Sequence, residues 1–271
     1  MATNNLDTDR LVEDAAMTGK LALVTGASSG IGRELARLFA QDGYDLVLAA
    51  EDDEIYAVAA ENGAQAVRTD LATPEGVQAL IDALAATGRP LAAAALNAGV
   101  GGGHAFVDQD LATVLEIIDV NVRGTTQLAH WVLRAMKNNG GGKALMTSST
   151  ASTMPGAYQA VYNATKSYLQ SLTEALQQEL KNTGVTLTAL MPGPVDTNFF
   201  RRADLQDSKI GQGPKDDPAE VAQQGYEAMQ NGKRRIVAAS LMSKAMEMGN
   251  KVLPDTVKAA AHKVLSRPEG E

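Results

Sequence analysis

The sequence predicts a single α/β domain in which a doubly wound, mostly parallel sheet carries helices on both faces. Three observations lead there. Apolar runs of strand length alternate with longer segments of helical period, as in βαβ units. The strand runs are almost continuously apolar, which suits a parallel sheet buried on both faces. Several helical segments also stop at a glycine, at Gly43, Gly63, Gly88, Gly140 and Gly184, where a left-handed cap is preferred.

In chain order, strands are expected at 21–26 (LALVTG), 45–50 (DLVLAA), 90–97 (PLAAAALN), 143–149 (KALMTSS) and 185–193 (VTLTALMPG). Helical period fills the intervals: IGRELARLFAQDG, EIYAVAAENG, EGVQALIDALAATG, one long segment around 111–138, and VYNATKSYLQSLTEALQQELKNTG. Residues 201–218 lose periodicity and collect charge, glycine and proline, so a long loop is expected, with a lid-like stretch at 199–217. The domain organisation read from these features is an N-terminal extension over 1–18, a dinucleotide-binding and catalytic domain over 19–232, and a partly helical C-terminal extension over 233–271.

With 271 residues, of which 45% are apolar, the chain can bury a sizeable core. A net charge of -8 argues against general affinity for nucleic acid or anionic lipid. The absence of cysteine rules out disulfides and thiolate metal sites and fits a reducing compartment, so a cytoplasmic location is expected. The first twenty residues lack the pattern of a signal peptide, and the weakly polar run 90–103 is too short to span a bilayer, so no membrane insertion is expected. Residues 233–271 carry eight Lys/Arg against four Asp/Glu, while residues 1–232 carry 16 against 28. That basic tail reads as a solvated or subunit-contacting helix, and the Met-rich stretch 241–248 and Trp131 read as packing surface. His104, His130 and His262 are scattered, so no metal site is expected, and His104 reads as a surface-loop residue.

The chemistry begins in VTGASSGIGRELA. Gly26, Gly30 and Gly32 lie between a strand and a helix, where glycine allows a tight turn and close approach of a pyrophosphate to a helix N-terminus. This makes the domain Rossmann-like. Glu51 follows Gly30 by 21 residues, the interval expected for an acid on the adenosine ribose, and Ser29 offers no positive charge, so NAD(H) is favoured over NADP(H). Further on, Tyr162 and Lys166 are four apart on one helix face, an arrangement in which an ammonium could favour a phenolate for proton transfer.

Together with TGASSGIG (25–32), DLA (70–72), NAG (97–99), NV (121–122), SS (148–149), YNATK (162–166) and PGPVDT (192–197), in that order, the chain resembles the classical short-chain dehydrogenases/reductases over roughly residues 19–200. One departure is Leu96, where the family pattern has a further Asn. The resemblance implies Tyr162 as proton donor or acceptor, Lys166 as the partner that lowers its pKa and touches the nicotinamide ribose, Ser149 as hydrogen-bonder to the substrate oxygen, and Asn121 as the holder of a water in the proton path. It places Ser28 and Ile31 with the glycine loop on the cofactor, Asp70 and Leu71 near adenine, and Asn97, Ala98 and Gly99 along the groove. Pro192, Gly193, Val195 and Thr197 complete it, Thr197 at the carboxamide. For Asp70, a helix cap is the alternative, and Tyr158 is expected to border the substrate pocket. The implied activity is that of a carbonyl reductase or alcohol dehydrogenase acting on a small-molecule carbonyl or alcohol, in a homo-oligomer, tetramer or dimer, built on the 111–138 and Tyr162 helices. The other reading is a non-catalytic dinucleotide sensor, which has no chemical need for Ser149 and Tyr162 together.

Overall fold

The computed structural model describes residues 19–238 and 254–267. The N-terminal extension and the Met-rich stretch 241–248 lie outside the described residues. Seven strands form one parallel sheet: β1 (Lys20–Thr25), β2 (Tyr44–Ala50), β3 (Gln65–Arg68), β4 (Leu91–Leu96), β5 (Gly142–Thr147), β6 (Val185–Pro192) and β7 (Arg235–Ala238). Their spatial order is β3-β2-β1-β4-β5-β6-β7. Direction of winding reverses between β1 and β4, so a crevice opens outside the C-terminal ends of these two strands, the place where doubly wound sheets take ligands.

Both faces of the sheet are covered. On one, Leu35, Phe39, Ile55, Val221 and Met229 from α1 (Gly30–Gln41), α2 (Glu54–Asn62) and α9 (Pro218–Gln230) pack on Ala22, Val24, Leu46 and Leu48. On the other, Val77 and Leu80 of α3 (Pro74–Ala86), Leu128, Val132 and Met136 of α5 (Thr125–Asn138) and Leu169 of α6 (Ala160–Glu179) pack on Leu21, Leu23 and Val47. Strand side chains alternate between the two clusters, which is why the runs read as continuously apolar. All five cap glycines have positive φ, between 60° and 85°.

Three features depart from expectation. β3 and β7 are four-residue strands too short to mark themselves by an apolar run, with Ala238 their only fully buried side chain, and β7 carries the sheet past residue 232 through parallel pairing with β6. The long helical segment is two helices, α4 (Leu111–Ile118) and α5, joined by a π-helical turn over Asp119–Gly124. In that turn a Cβ on Gly124 would lie 2.1 Å from the Leu71 carbonyl oxygen, so the chain there is fitted against the segment after β3. Finally, the expected long loop contains two one-turn helices, α7 (Phe199–Arg202) and α8 (Lys209–Gln212). Beyond the sheet, a helix over Asp255–Ser266 returns to the mouth of the crevice. Among the described residues no helix is long and apolar enough to cross a membrane.

Candidate active site

The crevice continues into a cavity of about 320 Å³, within the range of small-molecule sites. At one end lies the glycine turn. A Cβ on Gly32 would sit 2.0 Å from the Gly26 carbonyl oxygen, so the turn closes only around a glycine; one on Gly30 would meet Thr197 at 2.7 Å. Gly26, Ser28, Ser29, Gly30 and Ile31 line the cavity, with Asp70, Leu71, Asn97, Ala98, Gly99, Pro192, Gly193, Val195 and Thr197 along its length. Gly32 does not line it and instead packs beneath the turn against Asn97.

Asn97 anchors the floor. Its backbone N–H donates to Thr25 Oγ1 (3.0 Å), its side chain donates to the Thr25 carbonyl (3.2 Å), and Thr147 donates to its Oδ1 (3.1 Å), tying β1, β4 and β5 at the switch point. Asp70 accepts from the Ala72 N–H at 2.8 Å, while the cap of α3 is Thr73, so the capping alternative for Asp70 is set aside.

The acids at the end of β2 form a more elaborate arrangement than Glu51 alone. Arg202, from α7, donates to Glu51 Oε1 at 3.3 Å and to Asp52 Oδ2 at 2.9 Å. Ser28 donates to the same Asp52 oxygen at 3.0 Å, whereas Asp52 Oδ1 is buried with no hydrogen-bond partner. A buried acceptor without a donor is costly, and a ribose hydroxyl would satisfy it. The orphaned oxygen, together with a turn that tolerates no side chain, fits a dinucleotide. Asp52 and Arg202 were missed in the sequence: Asp52 is one acid in a run of four, and no sequence spacing links Arg202 to β2.

Deeper in, β5 and α6 bring together Ser149, Tyr162 and Lys166. Ser149 Oγ accepts from the Ala151 N–H (3.1 Å) and donates toward the Pro192 carbonyl (3.4 Å); its neighbour Ser148 donates to the Lys166 carbonyl at 3.0 Å. Lys166 is 3% exposed, and its ammonium donates to the Thr147 carbonyl at 2.9 Å. The Tyr162 ring packs on Phe199, with centroids 5.1 Å apart. Burial pushes the Tyr162 phenol up to about 12, against a smaller lowering from its hydrogen bond with Ser149. Burial likewise lowers Lys166 to about 8. Desolvation thus sets the direction of the Tyr162 shift, and the Lys166 ammonium, 5.8 Å from the Tyr162 ring centroid, donates to Thr147.

Asn121 stands behind this group, wholly buried in the π turn. Its Oδ1 accepts from the Val100 N–H (2.9 Å), and its Nδ2 donates to the Val100 carbonyl (2.8 Å) and Thr165 Oγ1 (3.0 Å). With both amide hydrogens committed, a water at Asn121 must donate to one of its oxygens. Such π turns concentrate at functional sites.

Two further expectations change, for Tyr158 and for the basic tail. Tyr158 does not line the cavity; its backbone is left-handed (φ 64°), and the next residue, Gln159, lines it instead. His104 lies opposite Asp204, at 2.8 Å, on the segment after α7. The basic tail is not simply a solvated helix: Lys258, Ala261, His262 and Leu265 line the cavity, and buried His262 contacts the Ala157 carbonyl at 3.0 Å. No sequence period announces that return.

Fold and crevice together define a dinucleotide-binding α/β protein. The model of the short chain dehydrogenase family matches residues 20–208. Among curated relatives, the chain is 34% identical to sulfoacetaldehyde reductase 2 of Chromohalobacter salexigens over 186 residues, covering 66% of this chain and 74% of that one. Among solved structures, it is similar to a short-chain dehydrogenase of Sphingobium yanoikuyae in complex with NADPH (TM-score 0.75, 25% identity, 86% and 94% of the two chains covered). It is also similar to a short chain dehydrogenase/reductase of Burkholderia phymatum in complex with NAD (TM-score 0.76, 26% identity, 85% and 92% covered). The chain belongs to the short-chain dehydrogenase family and is an oxidoreductase.

Proposed function

We propose that this oxidoreductase interconverts a ketone or aldehyde with its alcohol, using a nicotinamide dinucleotide. The observation that carries the reading is the convergence of Ser149, Tyr162 and Lys166 at the inner end of a crevice whose outer end is the glycine turn and the Glu51/Asp52 pair. When bound, the nicotinamide supplies or accepts the hydride. Ser149 and Tyr162 hold the carbonyl oxygen, and as negative charge develops there Tyr162 gives up its proton; in the reverse direction it takes the proton from the alcohol. The phenol is in the donor state near pH 7, and burial only widens that range. Lys166 stabilises the resulting phenolate, and Asn121 fixes the Val100 segment and the Thr165 turn of α6 behind it. Gly26, Gly30, Asn97 and Thr197 hold the cofactor along the groove.

The preference for NAD(H) over NADP(H) rests on two carboxylates, Glu51 and Asp52, at the ribose end, where a 2′-phosphate would be repelled. Arg202 does not reverse that balance, being shared between both acids. The name of the Chromohalobacter relative describes an aldehyde reductase, which supports a carbonyl substrate here. A homo-oligomer is part of the same reading, supported by exposed Phe106, Leu111, Leu115 and Ile118 on and beside α4 and by the shallow apolar groove that Ile118 shares with Val161 of α6. The test follows the absorbance of NADH and NADPH in parallel over a panel of aldehydes and ketones. Turnover favouring NADH is expected; turnover of neither cofactor with any carbonyl overturns the reading.

A further inference from the structure

The charges lining the crevice are segregated. Glu51, Asp52 and Asp70 follow β2 and β3, toward one edge of the sheet, and Arg202 is committed to two of them. On the β5 and α6 side no carboxylate lines the walls among the described residues, and apart from Lys166, beneath Tyr162, one cation reaches that part of the lining: Lys258, from the C-terminal helix. Its side chain is only 11% exposed. The ammonium donates toward the Thr153 carbonyl at 3.5 Å, and Thr150–Thr153 is the turn that directly follows Ser149. Its carboxylate partner is Asp255 at 2.9 Å, one helical turn back and 77% exposed. An intrahelical pair with so exposed an acid is weakly held, so the ammonium can turn to a better-placed anion.

We infer that Lys258 is a substrate-recognition residue and that the substrate is an aldehyde or ketone carrying an anionic group, a carboxylate or a phosphate, which the lysine binds while the carbonyl lies at Ser149 and Tyr162. This rests on the proposed carbonyl chemistry and narrows it to a substrate class. A largely covered ammonium on a wall that carries no carboxylate strengthens the attraction to an anion, and a charge-assisted contact of this kind discriminates against a neutral analogue about tenfold or more.

The test compares kcat/KM for matched pairs, succinic semialdehyde against butanal and glyceraldehyde phosphate against glyceraldehyde, in the wild type, Lys258→Met, Lys258→Arg and Asp255→Asn. The anionic member of at least one pair is expected to be preferred about tenfold or more, and which pair shows it tells carboxylate from phosphate. Lys258→Met brings that ratio toward one whatever happens to the absolute rates, Lys258→Arg keeps it, and Asp255→Asn raises it. In parallel, calorimetry with succinate and with inorganic phosphate, each in the presence of NAD, reads anion binding without turnover. Anion binding that is lost in Lys258→Met supports the inference even if none of these carbonyls is turned over, a failure that would count against the reading of the reaction instead. Equal rates on the charged and neutral members with equal anion binding in wild type and Lys258→Met would overturn it.

Discussion

At the scale of single residues, desolvation and hydrogen bonding decide what each group can do. Lys166 is buried and lowered to about 8 from an ordinary 10.5, so the folded state disfavours its charge. Between those values the unfolded chain binds more protons than the native one, and this group adds stability as pH rises through the window and withdraws it as pH falls toward 8. Urea unfolding should accordingly show the wild type gaining stability relative to Lys166→Met between about pH 8 and 10.5; parallel curves would mean the ammonium is solvated. Glu51→Ala should relax discrimination against NADPH, read as the ratio of kcat/KM for the two cofactors, and an unchanged ratio would leave the ribose to Asp52. Much of this was legible in the sequence, because Tyr162, Lys166 and Glu51 announce themselves by spacing. Asp52 was not, since only the fold turns one acid of a run toward Ser28 and leaves one of its oxygens without a donor.

At the scale of elements, two devices fix the crevice: the glycine turn between β1 and α1, and the π turn between α4 and α5. Gly32→Ala places a methyl group where the Gly26 carbonyl oxygen already sits, and should cost about 2 kcal/mol or more of stability while abolishing NADH binding, measured by urea titration and by nucleotide fluorescence. Asn121→Ala strips the Val100 N–H and carbonyl of their partners and should cost on the order of 3 kcal/mol. A loss of only a few tenths would show that water replaces the amide without penalty. The glycine turn is written in the sequence because its backbone demands that residue type. The π turn is hidden within a continuous helical stretch, since it adds about one residue to a turn and no particular residue type is required to form it. β3 and β7 are hidden for another reason: four residues at the edges of a sheet bury too little apolar surface to leave a pattern.

At the scale of the whole molecule, the chain folds back on its own active site. The lid bearing α7 is tied by Arg202 to the end of β2, and the C-terminal helix lies beside α8 with His262 buried against Ala157. Both contacts join residues far apart in sequence, so neither carries a local signal; the segments closing the substrate end lie largely outside the motifs that identify the family. Leu115 and Ile118 on α4 remain 48% and 37% exposed, large apolar side chains beside the groove formed with α6. Covering them is worth several kcal/mol across a symmetric pair of patches. Leu115→Arg with Ile118→Asp should convert the proposed homo-oligomer to monomers in light scattering behind size exclusion, and an unchanged mass would count against this surface as its interface. Tyr162→Phe tests most directly the proposal that Tyr162 passes the proton in a nicotinamide-dependent carbonyl reaction. With any carbonyl the wild type accepts, turnover should fall by about a thousandfold or more while NADH binds with near-unchanged affinity. Substantial residual turnover in that variant, with the cofactor still bound, would contradict the claim.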